Sequence, residues 1–144
     1  VIVGAVADPL KWDRWPEAEA LLEPARQRGR FESVIEPDEA LYVVLDGDEL
    51  LACATAWLGE REGEKLVEVK LVGGSDYRRW IGELDKVIGA AASQAGAARM
   101  VAIGRAGWAK ALRPHGWAQL QSVEDHWLFE RKLERGQPAG EGVP

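Results

Sequence analysis

The sequence predicts a single mixed α/β (α+β) domain, and three observations carry that expectation. Short runs rich in Val, Leu and Ile, several ending at glycine-containing turn signals, recur along the chain as strands. The stretch from Tyr77 to Ala95 carries one continuous apolar face at helical spacing. The segments follow in the order strand, helical segment, three-strand meander, long helix, strand, short helix, hairpin. A length of 144 residues is that of one ordinary domain, and a hydrophobic content of 47% suffices for a core.

Val1 to Val6 reads as a short buried strand, and Asp8-Pro9 as the cap and first position of a helix. Trp12, Trp15, Ala18, Leu21, Leu22 and Ala25 follow at helical spacing, with Pro16 and Pro24 expected to shorten or divide the element before Gly29 ends it. Arg30 to Glu39 is a short helix or an ordered loop. Leu41 to Leu45 is a strand, Asp46-Gly47 signals a type I′ hairpin, and Leu50 to Leu58 returns. A second reversal at Glu60 to Glu64 leads into the alternating run Lys65 to Val72, giving a three-strand antiparallel meander.

Gly73-Gly74-Ser75-Asp76 then breaks the chain before a long central helix. Trp80, Ile81, Leu84, Val87, Ile88, Ala91, Ala92 and Ala95 form its apolar face, with Glu83, Asp85 and Lys86 placed off it and Gly96 as cap. Arg99 to Ile103 is a strand expected to run parallel to the one before the helix, which makes the sheet mixed. Trp108 to Leu112 is a short helix stopped by Pro114. A C-terminal hairpin turns at Glu124-Asp125. The domain is expected to span 1–134, and 135–144, poor in apolar residues, to be a disordered tail.

A net charge of −6 argues against a broad footprint for nucleic acid or anionic membranes. The single cysteine, Cys53, cannot close an intrachain disulfide, and one Cys with two His cannot make an ordinary four-ligand zinc site. The expectation is a cytoplasmic, metal-free protein with no membrane-spanning helix.

The element order and two motifs resemble the GNAT superfamily of acyl-CoA N-acyltransferases. The family pattern V-x-P-x-x-[RQ]-G-x-G-x-[GA] falls on Val72-Gly73-Gly74-Ser75-Asp76-Tyr77-Arg78-Arg79-Trp80-Ile81-Gly82. Val72, Ile81 and Gly82 fit; Tyr77 stands where Arg or Gln is usual, and Trp80 replaces a glycine. The second landmark, Y-x-x-x-G-[FY], falls on Leu112-Arg113-Pro114-His115-Gly116-Trp117, keeping the Gly-aromatic ending with Leu112 in place of the tyrosine that commonly acts as general acid. The resemblance implies a GNAT-like mixed sheet and acetyl transfer from acetyl-CoA to a small-molecule or protein amine. Val72, Tyr77, Arg78, Arg79 and Gly82 then belong to the pyrophosphate loop, where backbone amides at a helix N-terminus cradle the anion.

Glu68, on the strand entering that loop, is the candidate general base, and His115, in the turn after the short helix, the second candidate for proton transfer. The structural alternatives are a polar residue on an alternating strand and a solvated turn histidine. His126 reads as a surface residue, and Cys53 as a small buried one. Gly73-Gly74 with Arg79-Trp80, and Gly104-Arg105-Ala106-Gly107-Trp108 with Leu112 and Gly116-Trp117, also resemble a divergent GNAT-like branch of tailed phages and prophages. That resemblance implies a catalytically silent interaction or virion-associated protein, and the Trp80 ring, at the head of the apolar face, is expected to point into the core. A homodimer is compatible with either reading.

Overall fold

The computed structural model describes residues 1–134; the segment 135–144, expected to be a disordered tail, lies outside the described residues. In chain order the elements are β1 (Ile2–Val6), α1 (Trp15–Gly29), β2 (Ala40–Asp46), β3 (Glu49–Arg61), β4 (Glu64–Gly74), α2 (Ile81–Gln94), β5 (Arg99–Gly104), α3 (Trp108–Leu112), β6 (Ala118–Val123) and β7 (His126–Lys132). Single 3₁₀ turns occupy Pro9–Lys11, Tyr77–Arg79 and Arg113–His115. The strands form one seven-stranded sheet in the order β1-β2-β3-β4-β5-β7-β6. The fold is mixed α/β, and α2 connects two strands that are neighbours in that sheet.

Several local expectations are corrected. The first apolar run is an edge strand rather than a buried one: β1 pairs only with β2, and Ile2 is 72% exposed. Periodicity in so short a run cannot tell an edge from a centre. Asp8-Pro9 opens only a 3₁₀ turn, and α1 starts at Trp15, then runs through Pro24 without dividing. Its left-handed terminal residue is Arg30 (φ 58°), one position past Gly29.

The β2–β3 turn places Gly47 and Asp48 between paired Asp46 and Glu49, and of the two only Gly47 has positive φ, 61°. That is the pattern of a type II′ turn, which needs glycine at its first central position. The type I′ pattern appears instead between β3 and β4, where Glu62 (φ 54°) and Gly63 (φ 79°) are both left-handed. The stretch 30–39 is a loop, clipped at one end by the Arg26 guanidinium donating to Phe31 O at 2.7 Å. At its other end Lys70 Nζ donates to Glu39 Oε2 at 2.8 Å, with Nζ also 4.6 Å from the Phe31 ring centre.

The described chain comprises two compact units, Val1–Trp57 with Val69–Leu84, and Leu58–Glu68 with the chain from Asp85 onward. In the first, Ala18 and Leu22 of α1 pack with Leu41, Val43, Cys53 and Leu71 of the strands. Leu51 to Ala56 of β3 are all buried, as expected of a strand covered on both faces. The hydroxyl of buried Thr55 accepts the Leu71 N–H at 3.2 Å, so its polarity is met inside the core.

In the second unit, β5 pairs with β7 and β7 with β6, both antiparallel, and Phe129 is 1% exposed. Asp85, expected off the apolar face of the central helix, is buried at 8% exposure. It accepts the Trp117 indole N–H at 2.8 Å and pairs with Arg131 Nη1 at 3.2 Å. A donor and a cation let a carboxylate occupy the apolar stripe. No described helix is long and apolar enough to cross a membrane.

Candidate functional site

The segment from Val72 to Gly82, which contains Val72, Tyr77, Arg78, Arg79 and Gly82, lies wholly in the first unit. β4 delivers the chain to Gly73 and Gly74, which turn it toward the 3₁₀ turn and then α2. A Cβ on Gly73 would lie 1.9 Å from the backbone oxygen of Leu21, and one on Gly74 (φ 144°) 2.5 Å from that of Leu51. Both glycines are therefore required by the chain's own backbone, which approaches too closely for any side chain.

The long helix expected from Tyr77 to Ala95 is interrupted. Asp76 is left-handed (φ 60°), Tyr77–Arg79 form one 3₁₀ turn, and α2 starts only at Ile81. Trp80 sits at the break: it is 1% exposed, and its indole N–H donates to Ser75 O at 2.8 Å, tying the loop to the start of the helix. The Trp80 carbonyl accepts the Leu84 N–H at 2.9 Å as the first α-helical bond. Helix geometry leaves the amides of Ile81 and Gly82 without an intrahelical acceptor, so Gly82 lies where backbone donors can face an anion.

The two arginines of the loop differ. Arg79 is bound to the Asp46 carboxylate at the end of β2, with Asp76 at 3.9 Å as a second acidic neighbour. Arg78 is exposed and lies over the Tyr77 ring, 5.7 Å from its centre. Of these two, Arg78 is the one with no carboxylate on its guanidinium among the described residues. Asp46 as the partner of Arg79 carries no sequence signal beyond its charge, since 33 residues separate the two.

Glu68 and His115 belong to the second unit. Glu68 is half-buried on β4, and His115 is half-buried in the 3₁₀ turn after α3. Leu112, in the place of the expected tyrosine, is buried at 9% exposure and offers no proton. Trp117, four residues beyond the Arg113 of the same turn, is anchored by Asp85. Asp85 was detectable in principle, because it lies four residues after Ile81 and three before Ile88, within the apolar stripe. His126 Nδ1 lies 2.7 Å from its neighbour Asp125. Burial pushes the Cys53 thiol up to about 12, which leaves it un-ionised and unreactive. Among the described residues no group of three or more His, Cys, Asp or Glu is placed to hold a metal ion.

No protein-family model matches the chain, and no curated protein matches its sequence. Solved structures do match. Gcn5 from Tetrahymena superposes with a TM-score of 0.68 at 9% identity, over 93% of this chain and 97% of that one. A GNAT family acetyltransferase from Elizabethkingia anophelis with acetyl-CoA bound gives 0.65 at 12%, over 92% and 97%. The fold is that of the GNAT acetyltransferases. FeeM, an N-acyl amino acid synthase from uncultured soil microbes, gives 0.64 at 12%, over 92% and 89%. In this chain the segment runs from strand through turn to helix, with the Trp80 indole bonded to Ser75 O and Arg79 to Asp46.

Proposed function

We propose that this chain binds acetyl-CoA and acts as a GNAT-type N-acyltransferase, passing the acetyl group to an amine. The observation that carries the reading is the likeness in fold, over more than nine-tenths of the chain, to acetyltransferases that include one with acetyl-CoA bound. In this reading the loop Val72–Gly82 takes the pyrophosphate: the amides at the start of α2 around Gly82 donate to it, and Arg78 supplies the charge. Arg79 and Tyr77 shape the loop, the first through Asp46 and the second under Arg78. Acetyl-CoA would supply an activated thioester, whose carbonyl–sulfur bond breaks as the amide forms and CoA leaves as the thiol; the chain's part is to orient it and accept a proton from the acceptor amine. Glu68 is the proposed base and His115 the proposed second proton-transfer group.

Calorimetric titration with acetyl-CoA tests the reading. Arg78→Ala should weaken binding about tenfold, the loss of one charge-assisted contact, whereas Arg79→Ala should act mainly on stability. Equal affinity in wild type and Arg78→Ala would remove Arg78 from the site.

Two observations favour a second reading, a catalytically silent GNAT-like interaction protein, which the sequence resemblance connects with phages and prophages. Leu112 is buried where the family pattern has a tyrosine, and Gly73 and Gly74 are packed against the chain's own backbone. Absence of heat with millimolar acetyl-CoA would select this second reading.

A further inference from the structure

Acidic residues are unevenly distributed along this chain. Nineteen of its 24 Asp and Glu lie in residues 1–85, and none lies between Lys86 and Val123. Within that acid-free stretch Arg99 pairs with Glu130 at 2.8 Å and Glu64 at 3.3 Å. Arg105, Lys110 and Arg113 do not. Arg105 precedes α3, Lys110 lies within it, and Arg113 opens the 3₁₀ turn that follows. The backbone at Arg113 is still right-handed helical (φ −54°, ψ −44°), so Lys110 and Arg113, three residues apart, fall on one face.

All three side chains are exposed, and among the described residues none of them has a hydrogen bond or an ion pair. Exposed cations elsewhere have acids close by: Arg61 lies between Glu60 and Glu62, and Lys132 between Glu130 and Glu134. The nearest acids in sequence to the α3 cations are Asp85, engaged by Trp117 and Arg131, and Glu124. Three neighbouring positive charges repel one another and gain nothing from the fold, so an external anion relieves what the chain leaves uncompensated.

We propose that α3 and its following turn form a docking surface for an acidic segment of a polypeptide partner. A long polyanion such as nucleic acid meets repulsion from a chain of net charge −6 and needs a broader basic footprint than nine residues supply. Ile103, two residues before Arg105 and 48% exposed, adds an apolar contact that an acidic peptide with interspersed apolar residues can use. The surface belongs to the second unit alone, and the inference stands whether or not the chain transfers acyl groups.

The test is fluorescence anisotropy with three labelled probes: a peptide of alternating Glu and Leu, a neutral Gln and Leu peptide of equal length, and an equally long oligothymidylate. The acidic peptide should bind, and binding should weaken as salt rises. The triple variant Arg105→Gln, Lys110→Gln, Arg113→Gln should lose about tenfold or more in affinity, while Arg61→Gln with Lys132→Gln should bind as wild type. All five positions are exposed, and an unchanged urea midpoint verifies that the fold is intact. No binding of the acidic peptide, equal loss in both variants, or tighter binding of the oligothymidylate overturns the proposal. So does salt-sensitive self-association abolished by the triple variant, which assigns the surface to a second copy of the chain.

Discussion

At Gly73 and Trp80, the residues that define the loop are fixed by the chain itself. A methyl group at Gly73 collides with the Leu21 carbonyl at 1.9 Å, and α1 cannot yield without disturbing Ala18 and Leu22 beneath it. Gly73→Ala should therefore cost about 1–3 kcal/mol, the range for overpacking, measured as a lower urea midpoint. Trp80→Gly removes a ring that is 1% exposed together with its hydrogen bond to Ser75, and should cost about 3–5 kcal/mol without strengthening acetyl-CoA binding. A stable Trp80→Gly protein with tighter acetyl-CoA binding would show that the indole merely blocks a site. The inward ring was legible in the sequence, because Trp80 heads an apolar stripe. The Asp46–Arg79 pair was not, since contacts between charges far apart in sequence follow from register and loop geometry.

Helix α1 shows how an element of modest apolar content is held. Arg14 donates to both carboxylate oxygens of Glu17 at 2.9 Å, and Arg26 to both of Glu23 at 2.7 Å. Hydrogen bonding to Arg14 holds the Glu17 carboxyl below its ordinary range, and Arg26 does the same to Glu23. With folded-state values lowered, the stability these pairs add is present above the usual carboxylate pKa of about 4.3 and is lost as pH falls through the lower folded values. Glu23→Gln should thus lower stability near neutral pH, with the gap to wild type closing in acid; a gap independent of pH would show that the ion pair is not the cause. In α2 the sequence pattern located the element but misjudged Asp85, because polarity was weighed above position. The charge is tolerated only through Trp117 and Arg131, contacts that arise after the chain has folded.

Across the molecule, the order of strands and helices along the chain was legible because it follows from periodicity and turn chemistry, and solved GNAT structures share the fold at 9–12% identity. The chemistry was less legible. A fold tolerates Leu112 for tyrosine and Trp80 for glycine without changing its topology, so the same architecture accommodates both an active and a silent protein. Ligand-linked stability distinguishes them without knowledge of the acceptor. A ligand that binds only the folded chain raises the unfolding free energy by RT ln(1 + [L]/Kd), about 2.7 kcal/mol when its concentration is a hundred times Kd. Acetyl-CoA, and CoA without the acetyl group, should therefore raise the urea midpoint in a concentration-dependent way, and Arg78→Ala should shift that dependence to higher concentration. Inorganic phosphate at the same concentrations should have little effect, because it offers the loop one anion and none of the rest of the ligand. A midpoint indifferent to millimolar acetyl-CoA would mean that the fold is present without its cofactor chemistry, and would leave Glu68 and His115 as ordinary residues of a strand and a turn.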